Sequence, residues 1–174
     1  MKRKAFILFL ITLIIVILGY IFAVFSLCNP LENKSIFCSE ITTFSQYYEK
    51  NIRGHLFSGF LALGGFLLSL KTFIVINMKE NVYDDESYQE NWKKQLKLEP
   101  SLKLYAPLKE LSDLLYYAIL AAILSAVLQM SLGLYSHWIA SIICVWSALY
   151  AVILLVSSLI LIKQNLDTWF SYLE

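Results

Sequence analysis

Few residues in this chain join a reactive type to a demanding position. In the stretch GHLFSGFLALGGFLLSLKTFIVIN, residues 54–77, a single ammonium group, Lys71, interrupts an apolar run. Ser125 and Gln129 lie in another such run, where a side-chain amide needs a hydrogen-bond partner. These three are the candidate pore or intramembrane polar groups. Lys71 has two uses open to it: its stem can snorkel to head groups, or its charge can face a water-filled lumen or a carboxylate such as Asp113. Gln129 can bond across helices or line a pore. His55 and His137 fall at comparable ends of apolar runs; a metal or pH-sensing role competes there with simple interfacial placement. The acidic cluster YDDESYQE lacks the spacing and glycine of an EF-hand loop, so a solvated helix start is expected and no metal site.

Cys28 and Cys38 share one polar segment, and Cys144 sits alone in an apolar run. In an oxidising compartment Cys28 and Cys38 can bridge; two free thiols are the alternative. There is no Walker loop, dinucleotide fingerprint, H-E-x-x-H or G-x-S-x-G. The C-x-x-C of disulfide-exchanging membrane enzymes is missing, and neither histidine has the arginine spacing of one ribonuclease superfamily. A non-enzymatic protein without cofactors is expected.

The elements that must position these groups follow from composition. Hydrophobic residues make up 59% and charged residues 16%, against roughly 25% charged in soluble domains. The apolar residues form four blocks, 5–27, 55–77, 114–133 and 138–162. Each reaches the about 20 residues that a helix needs to cross ~30 Å of hydrocarbon, and none alternates as a barrel strand would. The first block exceeds the apolar core of a signal peptide and lacks a small-residue cleavage site, so it is expected to be retained. The fold class is therefore an all-α integral membrane protein with four transmembrane helices and membrane lipid as its first partner.

Lys and Arg counts set the orientation. With the N-terminus inside, ten basic residues lie on the cytoplasmic side (Lys2, Arg3, Lys4, Lys79, Lys93, Lys94, Lys97, Lys103, Lys109, Lys163) and three outside (Lys34, Lys50, Arg53). Both termini are expected in the cytoplasm of a bacterium, with the protein in its inner membrane. An outer loop then covers residues 28–53, a cytoplasmic loop 78–113 and a cytoplasmic tail 163–174. In the cytoplasmic loop acidic residues precede basic ones, which suits a short helix and its dipole. Pro100 should stop that helix, and Pro107 suits the first turn of the next, near Ala106. The net charge of +1 offers no broad basic surface, so nucleic-acid binding is not expected.

Small residues at Gly54, Ser58, Ala62, Gly65 and Ser69 fall on one stripe of the second span. They are the expected helix-packing surface. Lys71 lies nearly opposite and is expected to stay off it. The third span repeats the device with Ala118, Ala122 and Ser125, and the fourth with Ala140, Cys144, Ser147 and Ala151. Stripes of this kind suit a tight bundle; their number, with Gln129 added, favours a homo-oligomer.

The short basic start, the four spans and the charged loop KENVYDDESYQENWKKQLKLE resemble the small four-helix membrane effectors of bacterial anti-phage operons, including CRISPR-linked and nucleotide-signalled ones. The resemblance implies an oligomer that permeabilises or depolarises the inner membrane when triggered from the cytoplasm. A scaffold or accessory subunit that recruits a cytoplasmic protein through residues 79–99 is the competing expectation.

Overall fold

The computed structural model describes residues 2–27, 39–97 and 103–173, and helix is the only regular structure among them. In chain order the α-helices are α1 (Lys2–Leu27), α2 (Ser39–Asn51), α3 (Arg53–Met78), α4 (Glu86–Leu96), α5 (Ala106–Met130) and α6 (Trp138–Leu173). Four of these, α1, α3, α5 and α6, are long and apolar enough to cross a membrane. Cys28 and Cys38, and with them the question of a bridge, lie outside the described residues.

Local chemistry explains the boundaries. Only Ile52 separates α2 from α3, and its backbone stays helical, so hydrogen bonds run through the junction from Ile52 N to Tyr48 O and from Leu56 N to Ile52 O. The segment 28–53 thus holds a helix where a loop is expected from the sequence. α3 ends in one π-helical turn, Lys79–Tyr83, whose closing bond runs from Asp84 N to Lys79 O at 2.9 Å. The extra residue in that turn swings Val82 and Tyr83 onto the buried side. Asp85 then caps α4 by accepting from Ser87 N at 2.9 Å. Pro107 occupies the first turn of α5, where its missing donor is no loss. α6 does not stop where its apolar run ends at 162 but continues to Leu173.

The long helices form a row in the order α1, α6, α5, α3. Phe9 of α1 meets Trp146 and Tyr150 of α6, and Tyr20 stacks on Trp138. Ser125 of α5 faces Ser147 of α6. Gly64 of α3 faces Ile123 of α5. Contacts run in opposite directions along each pair (Phe9 with Trp146 but Tyr20 with Trp138, Ser125 with Ser147 but Gln129 with Cys144, Gly64 with Ile123 but Lys71 with Tyr116), so every neighbour in the row is antiparallel. Among the described residues the edge helices α1 and α3 form no packed interface with one another. Burial follows this order: 44% of the span in α5 is buried, but only 6% of that in α1.

The small stripes of α5 and α6 do form their shared interface, with Ala118, Ala122, Ser125, Ala140, Cys144, Ser147 and Ala151 all buried. The stripe of α3 does not pack within the chain. Gly54, Ser58, Ala62, Gly65 and Ser69 are exposed, while Phe60, Gly64 and Leu67 on the other face are buried. Shape decides this. The alanines of α5 and α6 (Ala122, Ala126, Ala148, Ala151) form a hollow that Phe60 fills. A second small surface set there would leave a void and forfeit dispersion contacts. Lys71 shares the packed face with Phe60, Gly64 and Leu67, contrary to the expectation that it stays off the helix-packing surface.

Candidate functional site

At the α5–α6 hairpin end, polar side chains from four helices meet. α2 is amphipathic, and Ser45 and Tyr48 point from it into the protein, where both are buried. The Tyr48 hydroxyl donates to Gln129 Oε1. Gln129 Nε2 in turn donates to the Cys144 carbonyl at 3.1 Å, which also accepts from Ser147 Oγ at 2.8 Å. Ser147 Oγ lies 3.3 Å from Ser125 Oγ, and Ser45 Oγ lies 3.2 Å from Ser141 Oγ. Tyr48 and Gln129 are fully buried, so these bonds offset a desolvation cost that neither group could bear unpaired. Burial also pushes the Tyr48 phenol well above its ordinary pKa, which keeps it a donor.

A half-exposed rim surrounds this core. Arg53, the first residue of α3, donates from Nη1 to Gly133 O at 3.0 Å and pairs with Glu49 at 3.4 Å. Glu49 Oε2 accepts from Ser136 Oγ at 2.8 Å. Gly133 permits this approach, since a Cβ there would come within 3.1 Å of Arg53 Cδ. His137 Nδ1 accepts from Ile139 N at 3.3 Å, and its ring stacks on Trp138, so it serves the start of α6. Among the described residues no group of three His, Cys, Asp or Glu is placed to hold a metal.

At the other end the π turn is clasped. Lys79 Nζ lies 3.0 Å from Asp84 Oδ2, and the Tyr105 hydroxyl donates to Asp84 Oδ1 at 2.9 Å. Together these bonds hold the Asp84 carboxyl below its usual pKa, the Lys79 bond being the larger cause; the bond to Asp84 raises the Tyr105 phenol. Tyr83 packs against Tyr88 and Tyr105 beside a core of Met78, Val82, Leu108, Leu111 and Leu115. A crevice of roughly 570 Å³ opens near the start of α5, lined by Lys103, Tyr105, Lys109, Glu110 and Asp113 among others.

Lys71, Ser125 and Gln129 are not brought together. Lys71 is half-buried, with its ammonium 5.2 Å from the centre of the Tyr116 ring, a cation–π distance. Among the described residues it forms no ion pair with Asp113. Tyr116 precedes Ser125 by nine positions on α5, or about 13 Å of helix. Ser125 and Gln129 are buried in the α5–α6 interface and bonded within it. The sequence reading missed Tyr48, Glu49, Arg53 and Tyr105. A signal existed for the first: Ile41, Ser45, Tyr48 and Ile52 recur at helical spacing.

Chemically, these sites donate, accept and clamp. No protein-family model, curated protein or solved structure matches this chain.

Proposed function

We propose that the chain is a multi-pass inner-membrane protein, with both termini cytoplasmic, whose copies assemble into a non-enzymatic pore-type effector. One observation carries this reading: among the described residues the long helices form an open row with two unpaired edges, although the polar groups buried between α5 and α6 are bonded within the chain. A closed bundle would be complete as a single subunit; an open row gains contacts by adding copies. The excess of Lys and Arg in the segments between α3 and α5 and around α1 supports the orientation. Ser125 and Gln129 are bonded inside the subunit, so the lumen assignment rests on Lys71, which stays half-exposed beside Tyr116. The resemblance to anti-phage effectors supports a trigger that acts through the cytoplasmic loop. Recording from purified oligomer in planar bilayers tests the pore: conductance that changes size or selectivity in Lys71→Gln supports it. A confirmed oligomer that passes no current refutes it.

A second reading has its own observation. Among the described residues α4 has no fully buried residue and packs mainly on the π turn, with Tyr88 against Tyr83, which leaves its charged side open to another protein. In this reading the chain is a scaffold or accessory subunit. Pull-down from membranes with and without residues 79–99 tests it; associations unchanged by the deletion refute it.

A further inference from the structure

The charged crevice near the start of α5 has an apolar neighbour. Glu110, which lines it, also lines a second crevice of roughly 310 Å³ over α6, between α1 and α5. The second is walled mainly by apolar groups, Ile7 and Leu8 of α1, Leu114 of α5 and Leu161 of α6 among them. Lys109 and Asp113 are one turn apart on α5, as are Glu110 and Leu114, so adjacent sides of one helix serve the two crevices. Ile7 and Leu8 stand at the edge of the apolar stretch of α1, which begins at Phe6. Set in a membrane, the apolar crevice would open where hydrocarbon gives way to head groups. Both volumes lie within the about 300–1,000 Å³ of small-molecule sites.

Charge decides what the pair of crevices fits. Among the described residues, three side chains of the charged crevice, Lys103, Lys109 and Asp113, enter no ion pair. Asp113 is half-buried, and Lys71, the ammonium expected beside it, is held over Tyr116 instead. A half-buried carboxylate is costly until a cation pairs with it. The two lysines offer the matching service to a phosphate. A head that is only anionic would meet Asp113 and Glu110, and one that is only cationic would meet Lys103 and Lys109. A head with one phosphate and one amine answers both signs. Lys109 and Asp113 are about 6 Å apart along the helix axis, within reach of a phosphate and an amine joined by two carbons. The apolar crevice beside them gives an acyl chain a place that a water-soluble ligand of the same charges would leave unused.

We propose that the two crevices together bind a phospholipid whose head carries a phosphate and a primary amine. Lys103 and Lys109 hold the phosphate, Asp113 holds the amine, and one acyl chain lies over α6 between α1 and α5. The site requires the chain to sit in a membrane, as read above, and does not depend on a pore. Native mass spectrometry of the full-length protein in mild detergent tests it, with phosphatidylethanolamine, phosphatidylcholine and phosphatidylglycerol of identical chains added in turn. Phosphatidylethanolamine should be retained at least fivefold better than the other two. Asp113→Asn should remove its advantage over phosphatidylcholine while thermal unfolding in lipid-free detergent stays unchanged. The exposed pair Lys103→Gln and Lys109→Gln should lower retention of both lipids at least threefold. Ile7→Trp, which narrows the apolar crevice, should lower phosphatidylethanolamine retention by a similar factor. Equal retention of the three lipids, a preference for phosphatidylglycerol, or Asp113→Asn that keeps the wild-type preference overturns the proposal. Free O-phosphoethanolamine that displaces the lipid at equal concentration also overturns it, since the chain would then contribute nothing. Conductance without selective retention would leave the pore standing and sink this site; selective retention without conductance would do the reverse.

Discussion

Removing the hydroxyl in Tyr48→Phe leaves Gln129 Oε1 buried without its donor, and Gln129→Leu leaves the Tyr48 hydroxyl in the same position. An unsatisfied buried polar group costs about 1–3 kcal/mol, whereas removing both partners together is nearly neutral. Each single substitution should therefore destabilise by about 1–3 kcal/mol, and the double variant by less than the sum. The Cys144 carbonyl does not add to the cost of Gln129→Leu, because Ser147 Oγ still donates to it at 2.8 Å. Coupling between polar side chains in membrane proteins averages about 0.6 kcal/mol, since the unfolded chain also finds partners. Complete burial of both groups here places the expected coupling above that, at about 1–2 kcal/mol. Equilibrium unfolding of the four proteins in mixed micelles measures it, and proteolysis within residues 39–52 reports whether α2 has left the hairpin. Strictly additive losses would refute the Tyr48–Gln129 bond as the contact that docks α2.

Three further outcomes are expected. Gly64→Leu, unlike Gly65→Leu, should destabilise the subunit itself by about 1–3 kcal/mol, because a Cβ at Gly64 already comes within 3.0 Å of Ile123; thermal unfolding of the monomer in detergent distinguishes the two. Tyr116→Leu should weaken the α3–α5 contact by about 0.5–1 kcal/mol through loss of the cation–π pair, whereas Lys71→Arg should keep it; unchanged stability in Tyr116→Leu refutes the pairing. The clasp of Asp84 should hold in a window of pH. The Asp84 carboxyl sits below its ordinary 3.8, so its contribution is present above that value and lost as pH falls through the lowered one. The Tyr105 phenol sits above its ordinary 10.0, so its contribution is present below that value and lost as pH rises through the raised one. Protection factors at residues 79–84, with the intrinsic pH dependence of amide exchange divided out, should therefore be highest between these limits, and protection that does not change with pH refutes the clasp.

The long helices are legible because length and unbroken apolarity are enough to specify them, and Pro107 and Asp85 mark two helix starts by plain capping chemistry. Which faces meet is less legible. The stripe of α3 satisfies every local rule for helix packing, yet Phe60 wins the hollow between α5 and α6 because volumes must match across two other helices. No pattern within α3 encodes that competition. α2 was hidden for a different reason: its polar composition reads as a loop until Tyr48 is given a buried amide to bond. The clasp depends on a π turn, an insertion that only the folded backbone reveals.

α6 is one uninterrupted rod of 36 residues, or about 54 Å at 1.5 Å per residue. That is well beyond the ~30 Å thickness of a hydrocarbon layer. Set in a membrane, its far segment would stand clear of the lipid or force the whole rod to lean. Leu161 and Ile162 pack beside the π turn, while Ser141, Cys144 and Ser147, at the other extreme of the same rod, belong to the Tyr48 network. A stiff lever of this kind would carry a push on its protruding segment across the bilayer to the hairpin, with no soft joint along the way to absorb it.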